Sequence, residues 1–155
     1  MDIVRLLFIH GADVDIPNYL GRTPLMEACI NDDFAMFKYL LSCKAHVDIL
    51  DSNRNTALMY VCDLGRGVEY VRELFFHGAI IDRCNEKGVS ALKLAVQHQN
   101  VATVQFLTSI DRNERDLYEA LVVAKRTPYT AYDSLLTHRI LELEAERRCG
   151  GKNKH

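Results

Sequence analysis

What the chain lacks narrows its function before any motif is found. No apolar run approaches the roughly 18 residues that a membrane-spanning helix needs. Its first residues carry neither a basic n-region nor a small-residue cleavage site, so they do not read as a signal peptide. Charge of one sign is not in excess either: 19 Lys and Arg against 21 Asp and Glu give a net charge of −2. Nothing therefore draws the chain generally to a phosphate backbone or an anionic lipid surface, and neither nucleic acid nor membrane is an expected partner. The five cysteines, Cys29, Cys43, Cys62, Cys84 and Cys149, are odd in number and include no CxxC pair. That spacing argues against a zinc site or a disulfide framework, and the expectation is reduced thiols in a cytoplasmic or nuclear protein. The closing CGGKNKH holds no prenylation box.

What is present is a globular composition, 48% hydrophobic and 26% charged, with enough chain to bury one core. It is also repetitive. GRTPLMEAC from Gly21, RNTALMYVC from Arg54 and GVSALKLAV from Gly88 align, with Thr23, Thr56 and Ser90 spaced 33 and then 34 residues apart. HGADVD from His10, CKAHVD from Cys43 and HGAIID from His77 repeat in the same phase, and VRLLF, FKYLL, VRELF and VQFLT recur between them.

Each unit has a physical reading. Thr23, Thr56 and Ser90 precede apolar runs, where a side-chain oxygen can accept from the orphan N–H groups of a helix start. Pro24 fits a first helical turn, where its missing N–H costs nothing. Gly11 and Gly78 follow second helices, where a left-handed residue closes the end. A short extended stretch and a polar turn such as Pro17-Asn18-Tyr19-Leu20-Gly21 come next. One unit is thus a tight turn, a helix, a loop and a second helix, which buries its apolar stripe only by stacking on neighbours.

This pattern resembles the ankyrin repeat in its period and in its approach to the T-P-L-H-x-A signature, over about Asp2–Ser109. The resemblance implies a mainly α solenoid of stacked helix-turn-helix units with short hairpin loops. The expected division is a single domain over 1–148: a partial repeat at 1–15, repeats at 16–48, 49–82 and 83–111, a degenerate C-terminal cap at 112–148, and a flexible tail at 149–155. Departures are specific. Met26, Met59 and Lys93 replace the signature histidine, which is expected to remove hydrogen bonds between repeats. Lys44 and Arg54 stand where the family has glycine, and one residue is inserted around Gly65-Arg66-Gly67.

Both ends carry expectations. Asp2–Ile9 reads as a second helix without its first, which suggests a fragment of a longer protein or a raw stacking face. Ile3, Leu6 and Leu7 would border that face, through which the chain could self-associate. After Ser109, Glu114–Ala124 reads as a first helix, Lys125-Arg126-Thr127-Pro128 as a connection, and 131–148 as a longer helix ending in the charged LELEAERR.

No catalytic or metal-binding constellation assembles. His10 and His77 recur as part of the repeat, and Cys29 and Cys62 sit at equivalent positions where small residues let helices pack. Gly65-Arg66-Gly67 is too short for a phosphate loop, and Asp32-Asp33 suits the start of a second helix. No cofactor and no catalytic residue is expected. Asp15, Asp48 and Asp82 lie eight residues after Leu7, Leu40 and Leu74. Ankyrin domains of this kind are substrates of the oxygen-sensing asparaginyl hydroxylase at asparagine in that position, where aspartate stands here.

Geometry therefore supplies the candidate site. Hairpin tips and the inner face of first helices are expected to carry side chains that the fold does not need. The candidate partner-binding residues are Tyr19, Leu20, Arg22, Glu27, Asn31, Asn53, Asn55, Tyr60, Asp63, Glu86, Lys87 and His98. Tyr19, Arg22 and Tyr60 are of the types that anchor interfaces. The expected function is a non-enzymatic module that binds another protein, with a structural or regulatory part of a larger chain, packed against its own neighbouring domain, as the alternative.

Overall fold

The computed structural model describes residues 10–110, 113–126 and 131–150. The expected helix over Asp2–Ile9, with Ile3, Leu6 and Leu7, lies outside these residues, as do Thr127, Pro128 and 151–155. The described chain forms eight helices: α1 Pro24–Ile30, α2 Phe34–Ser42, α3 Ala57–Asp63, α4 Val68–Phe76, α5 Ala91–Gln97, α6 Val101–Ile110, α7 Glu114–Ala124 and α8 Ala131–Gly150. The odd-numbered helices stack on one another as an inner layer, and the even-numbered ones cover them from outside. Extended pairing among the described residues amounts to an isolated bridge between Cys84 and Ser90.

The starts of inner helices α1, α3 and α5 follow from three hydroxyls. Thr23, Thr56 and Ser90 accept from the N–H groups of Met26, Met59 and Lys93 at 3.4, 3.3 and 3.3 Å. Outer helices α2 and α6 are capped by Asp33, which accepts from Met36 at 2.9 Å, and Asn100, which accepts from Thr103 at 3.1 Å. At α4 the inserted loop puts Gly67 in that place, with no side chain to cap. Arg66 of the same loop reaches back one repeat. Its Nε donates to the Cys29 carbonyl at 3.0 Å, its Nη2 donates to the Ile30 carbonyl, and its Nη1 lies 3.4 Å from Asp32. A cation thus sits on the last carbonyls of α1, where helix dipole and hydrogen bonding act together.

One core runs the length of the stack. Leu25, Cys29, Leu58, Cys62, Leu92, Ala95, Leu117 and Ala120 fill it from the inner helices, and Phe37, Leu40, Val71, Leu74, Val104, Leu107, Leu136 and Ile140 from the outer ones. The ring of Tyr70 lies 4.8 Å from both Phe34 and Phe37, and its hydroxyl donates to Asp32 at 3.1 Å. Met26 and Met59 are buried apolar fillers where the family has histidine.

Lys93 corrects the expectation that this position leaves the repeats untied. Its Nζ donates to the Gly88 carbonyl at 2.5 Å and pairs with Glu119 of α7 at 2.7 Å. The long stem spans what histidine would have spanned, from hairpin to next helix. A second correction concerns the tail: α8 continues through Cys149 to Gly150. Charged residues with good helix propensity carry it there, with Arg148 3.9 Å from Glu144 one turn earlier.

Connections between units are regular until the end. Residues 43–56 join α2 to α3 and 77–90 join α4 to α5, each passing through a hairpin, whereas only 111–113 join α6 to α7. The C-terminal helix pair therefore docks without a hairpin of its own.

Candidate functional site

The hairpins are built on a device absent from the expectations above. Asn18, Asp51 and Asn85 share the repeat spacing, and each side chain accepts two backbone N–H groups across its own tip. Asn18 takes Leu20 and Arg22 at 2.9 and 3.1 Å; Asp51 takes Asn53 and Asn55 at 2.9 and 2.7 Å; Asn85 takes Lys87 and Val89, both at 3.0 Å. Such Asx turns fix a tip without the help of a sheet. Neighbouring tips are then bonded together, Ser52 N–H to the Leu20 carbonyl and Glu86 N–H to the Asn53 carbonyl, both at 3.1 Å. Gly21 permits this approach: its φ is +76°, and a Cβ there would lie 2.8 Å from the Ser52 nitrogen.

A second series ties the units below the tips. Asp15 accepts from the His46 N–H at 3.0 Å, and Asp48 accepts from the Ile80 N–H at 3.1 Å. The His46 ring also lies 2.5 Å from Asp15, and this hydrogen bond raises the imidazole pKa. The aspartates singled out by the hydroxylase comparison thus hold neighbouring repeats together at two of their three positions.

On the inner face the candidate residues separate into two groups. Arg22, Glu27, Asn55 and Tyr60 are half-buried and bonded within the protein. Arg22 Nε donates to the Tyr60 hydroxyl at 3.0 Å, with the guanidinium 5.2 Å from the ring centre, and that hydroxyl donates to Asp51 at 2.5 Å. Asn55 donates to Asp51 at 3.2 Å and accepts from Asn85 at 3.0 Å, while Glu27 accepts from Asn18 at 2.9 Å. These contacts run across three hairpins. The expectation that tip and inner-face side chains are dispensable to the fold fails for Arg22, Asn55 and Tyr60, because the stack uses them as cross-braces.

Electrostatics follow this wiring. Burial pushes the Tyr60 hydroxyl up, and its bond to Asp51 pushes the same way. Burial would raise Asp51 too, but hydrogen bonds from Tyr60, Asn55 and Asn53 outweigh it and hold the carboxyl below its ordinary value. Arg22 is held above its ordinary value, chiefly by the Tyr60 hydroxyl.

The second group is exposed. Tyr19 stands 92% open at the first tip, and Leu20, Asn31, Asn53, Asp63, Glu86, Lys87 and His98 are open as well. Asp63 and His98 meet across adjacent repeats at 3.0 Å. Between these groups lies a cleft of about 310 Å³, bordered by Asn55, Tyr60, Asp63, Asn85, Lys87 and Leu94. The structure brings Asn55, Tyr60, Asp63 and Lys87 together around that cleft; Tyr19, Leu20 and Glu86 stand at the tips, and Asn31 and His98 at the far ends of inner helices. Asn18, Asp51 and Asn85 were missed, although their spacing of 33 and 34 is legible.

The thiols are of two kinds. Cys29 and Cys62 are fully buried, and burial pushes the Cys29 thiol up to about 12 and the Cys62 thiol up as well. Cys84 is exposed, and Cys43 is partly so; all four are free. No described helix is long and apolar enough to cross a membrane.

Comparison with known proteins agrees with this architecture. The family model for ankyrin repeats (3 copies) matches residues 1–83 and 43–116. The chain is similar to the fowlpox virus (strain NVSL) ankyrin repeat protein FPV230, at 42% identity over 43% of this chain and 36% of that one. It is similar to human ankyrin repeat domain-containing protein 63, at 33% identity over 68% of this chain and 28% of that one. A zebrafish protein named as palmitoyltransferase ZDHHC13 is 34% identical over 74% of this chain but 18% of its own length. The chain thus spans between 18% and 36% of these relatives. Ankyrin repeats are generally non-enzymatic modules for protein–protein interaction. With its period, its stacked helix pairs and the match across most of its length, this chain belongs to the ankyrin repeat family.

Proposed function

We propose that the chain is a non-enzymatic module that binds another protein through its hairpin tips and inner face. The observation that carries this reading is the division of labour just described. Arg22, Asn55 and Tyr60 brace the surface from within, and Tyr19, Leu20, Asn31, Asn53, Glu86 and Lys87 stand open upon it. A surface held by its own hydrogen bonds loses little freedom on association, so more of its contact energy remains as affinity. Tyr19 supplies a large, rigid aromatic contact of the kind that dominates interfaces.

A second reading, in which the stack packs against a neighbouring domain of a longer chain, is favoured by the greater length of the relatives. Affinity capture from cell extract separates the surfaces. Proteins retained by the unchanged chain should be lost with a Tyr19→Ala/Asn31→Ala variant and kept by Phe76→Ser, which alters the outer face. Loss with Phe76→Ser alone, or retention by both variants, would overturn the inner-face assignment.

A further inference from the structure

The junction between the last hairpin and the C-terminal helix pair leaves a slot. Each earlier hairpin is covered by the next, the Leu20 carbonyl by Ser52 N–H and the Asn53 carbonyl by Glu86 N–H. Lys87 is the next position in that series. Only 111–113 separate α6 from α7, and among the described residues no backbone N–H donates to the Lys87 carbonyl. The aspartates tell the same story: Asp15 and Asp48 accept from the following unit, and no described residue does the same for Asp82.

The space so left is a cavity of about 360 Å³ bordered by Asp82, Cys84, Asn113, Arg115, Asp116 and Glu119. Asp116 is 5% exposed, and its Oδ2 meets no hydrogen-bond partner among the described residues. Burial pushes its pKa up, although the Ser90 hydroxyl and the Lys93 charge pull it down. Lys93 and Arg115 both pair with Glu119, at 2.7 and 3.0 Å, so neither Asp82 nor Asp116 has an ion-pair partner among the described residues. A buried carboxylate oxygen without a donor is costly, and a cationic donor entering the slot removes that cost.

We propose that this slot takes an extended segment of a partner protein in place of the missing hairpin. A backbone N–H of the segment pairs with the Lys87 carbonyl, as an added strand pairs with a sheet edge. An arginine or lysine side chain reaches Asp116 Oδ2, with Asp82 beside it. Two observations favour a single strand over a second copy of this chain. Helices α7 and α8 already occupy the places of the next repeat's helices, which shuts out a whole repeat, and carboxylates without an ion-pair partner among the described residues select a basic side chain. This site meets the inner face at Lys87, but Asp82 and Asp116 lie outside the inner-face residues, so variants there test it apart from that reading.

The probe is a labelled heptapeptide of alternating threonine and valine with arginine at its centre, beside the same peptide with glutamine there. Both are titrated against the full chain by fluorescence anisotropy, and the contacts are read from backbone amide shifts. The arginine peptide should bind at least ~10-fold more tightly, with shifts at Gly88, Asn113 and Asp116. Asp116→Asn should abolish the preference without lowering the melting temperature, and Asp82→Asn should reduce it; the second variant decides if the first fails to fold. Equal binding of the two peptides, no binding up to about 1 mM, or shifts at Asn31 and Tyr60 instead would overturn the proposal. So would self-association of the chain that Asp116→Asn abolishes, since the occupant would then be a second copy.

Discussion

Lys44 and Arg54 occupy left-handed backbone, each with φ of 63°, in series with Gly11 and Gly78 and with Gly21 and Gly88 respectively. The turn at Lys44 closes α2 just as Gly78 closes α4: Lys44 N–H bonds to the Leu41 carbonyl at 2.9 Å and Ala45 N–H to Leu40 at 3.1 Å. A side chain there costs roughly 1 kcal/mol, less the entropy that glycine adds to the unfolded chain. Lys44→Gly and Arg54→Gly should each stabilise the protein by about 0.5–1 kcal/mol in chemical denaturation. A destabilising result at both would mean that the turns are not strained. The thiols give a second check at this scale. A thiol reagent should modify Cys43 and Cys84 in the folded protein, whereas Cys29 and Cys62, buried and with raised pKa values, should react only on unfolding. Rapid labelling of Cys62 in the native state would contradict the packing described.

At the scale of the element, the helices were legible because their signals are local. Thr23, Thr56 and Ser90 mark the inner starts, and the apolar spacing marks the faces. What was not legible depends on partners a full repeat away. Arg66 reads as loop filler until the carbonyls of Cys29 and Ile30 are seen beneath it. Lys93 reads as a lost histidine until Glu119 is seen opposite, and Tyr60 as a free surface aromatic until Arg22 and Asp51 close on its hydroxyl. The caps make a measurable claim. Thr56→Ala removes the side-chain acceptor that caps the start of α3 and should cost about 1–2 kcal/mol. Arg66→Ala should cost a comparable amount, about 1–3 kcal/mol, by leaving carbonyls at the end of α1 without their charged donor. No loss of stability in the Arg66 variant would show that water replaces it at no cost.

For the whole molecule, the cross-braces predict a pH dependence. The folded-state pKa of Asp51 is depressed, so its contribution to stability is present above its unfolded value, near pH 4, and is lost as pH falls through the lower folded value. Acid titration of stability should therefore fall less steeply below pH ~4 in Asp51→Asn than in the unchanged protein. Identical slopes would remove Asp51 from the account. The same braces make the inner face a fixed surface, and a partner bound there should protect it without reordering the stack. Hydrogen exchange of the chain, alone and with a captured partner, tests this most directly. Added protection should fall at residues 19–22, 27–31, 53–55, 60–63 and 86–87 and around His98, leaving outer helices α2, α4 and α6 unchanged. Protection confined to the outer helices, or spread evenly through the stack, would contradict it.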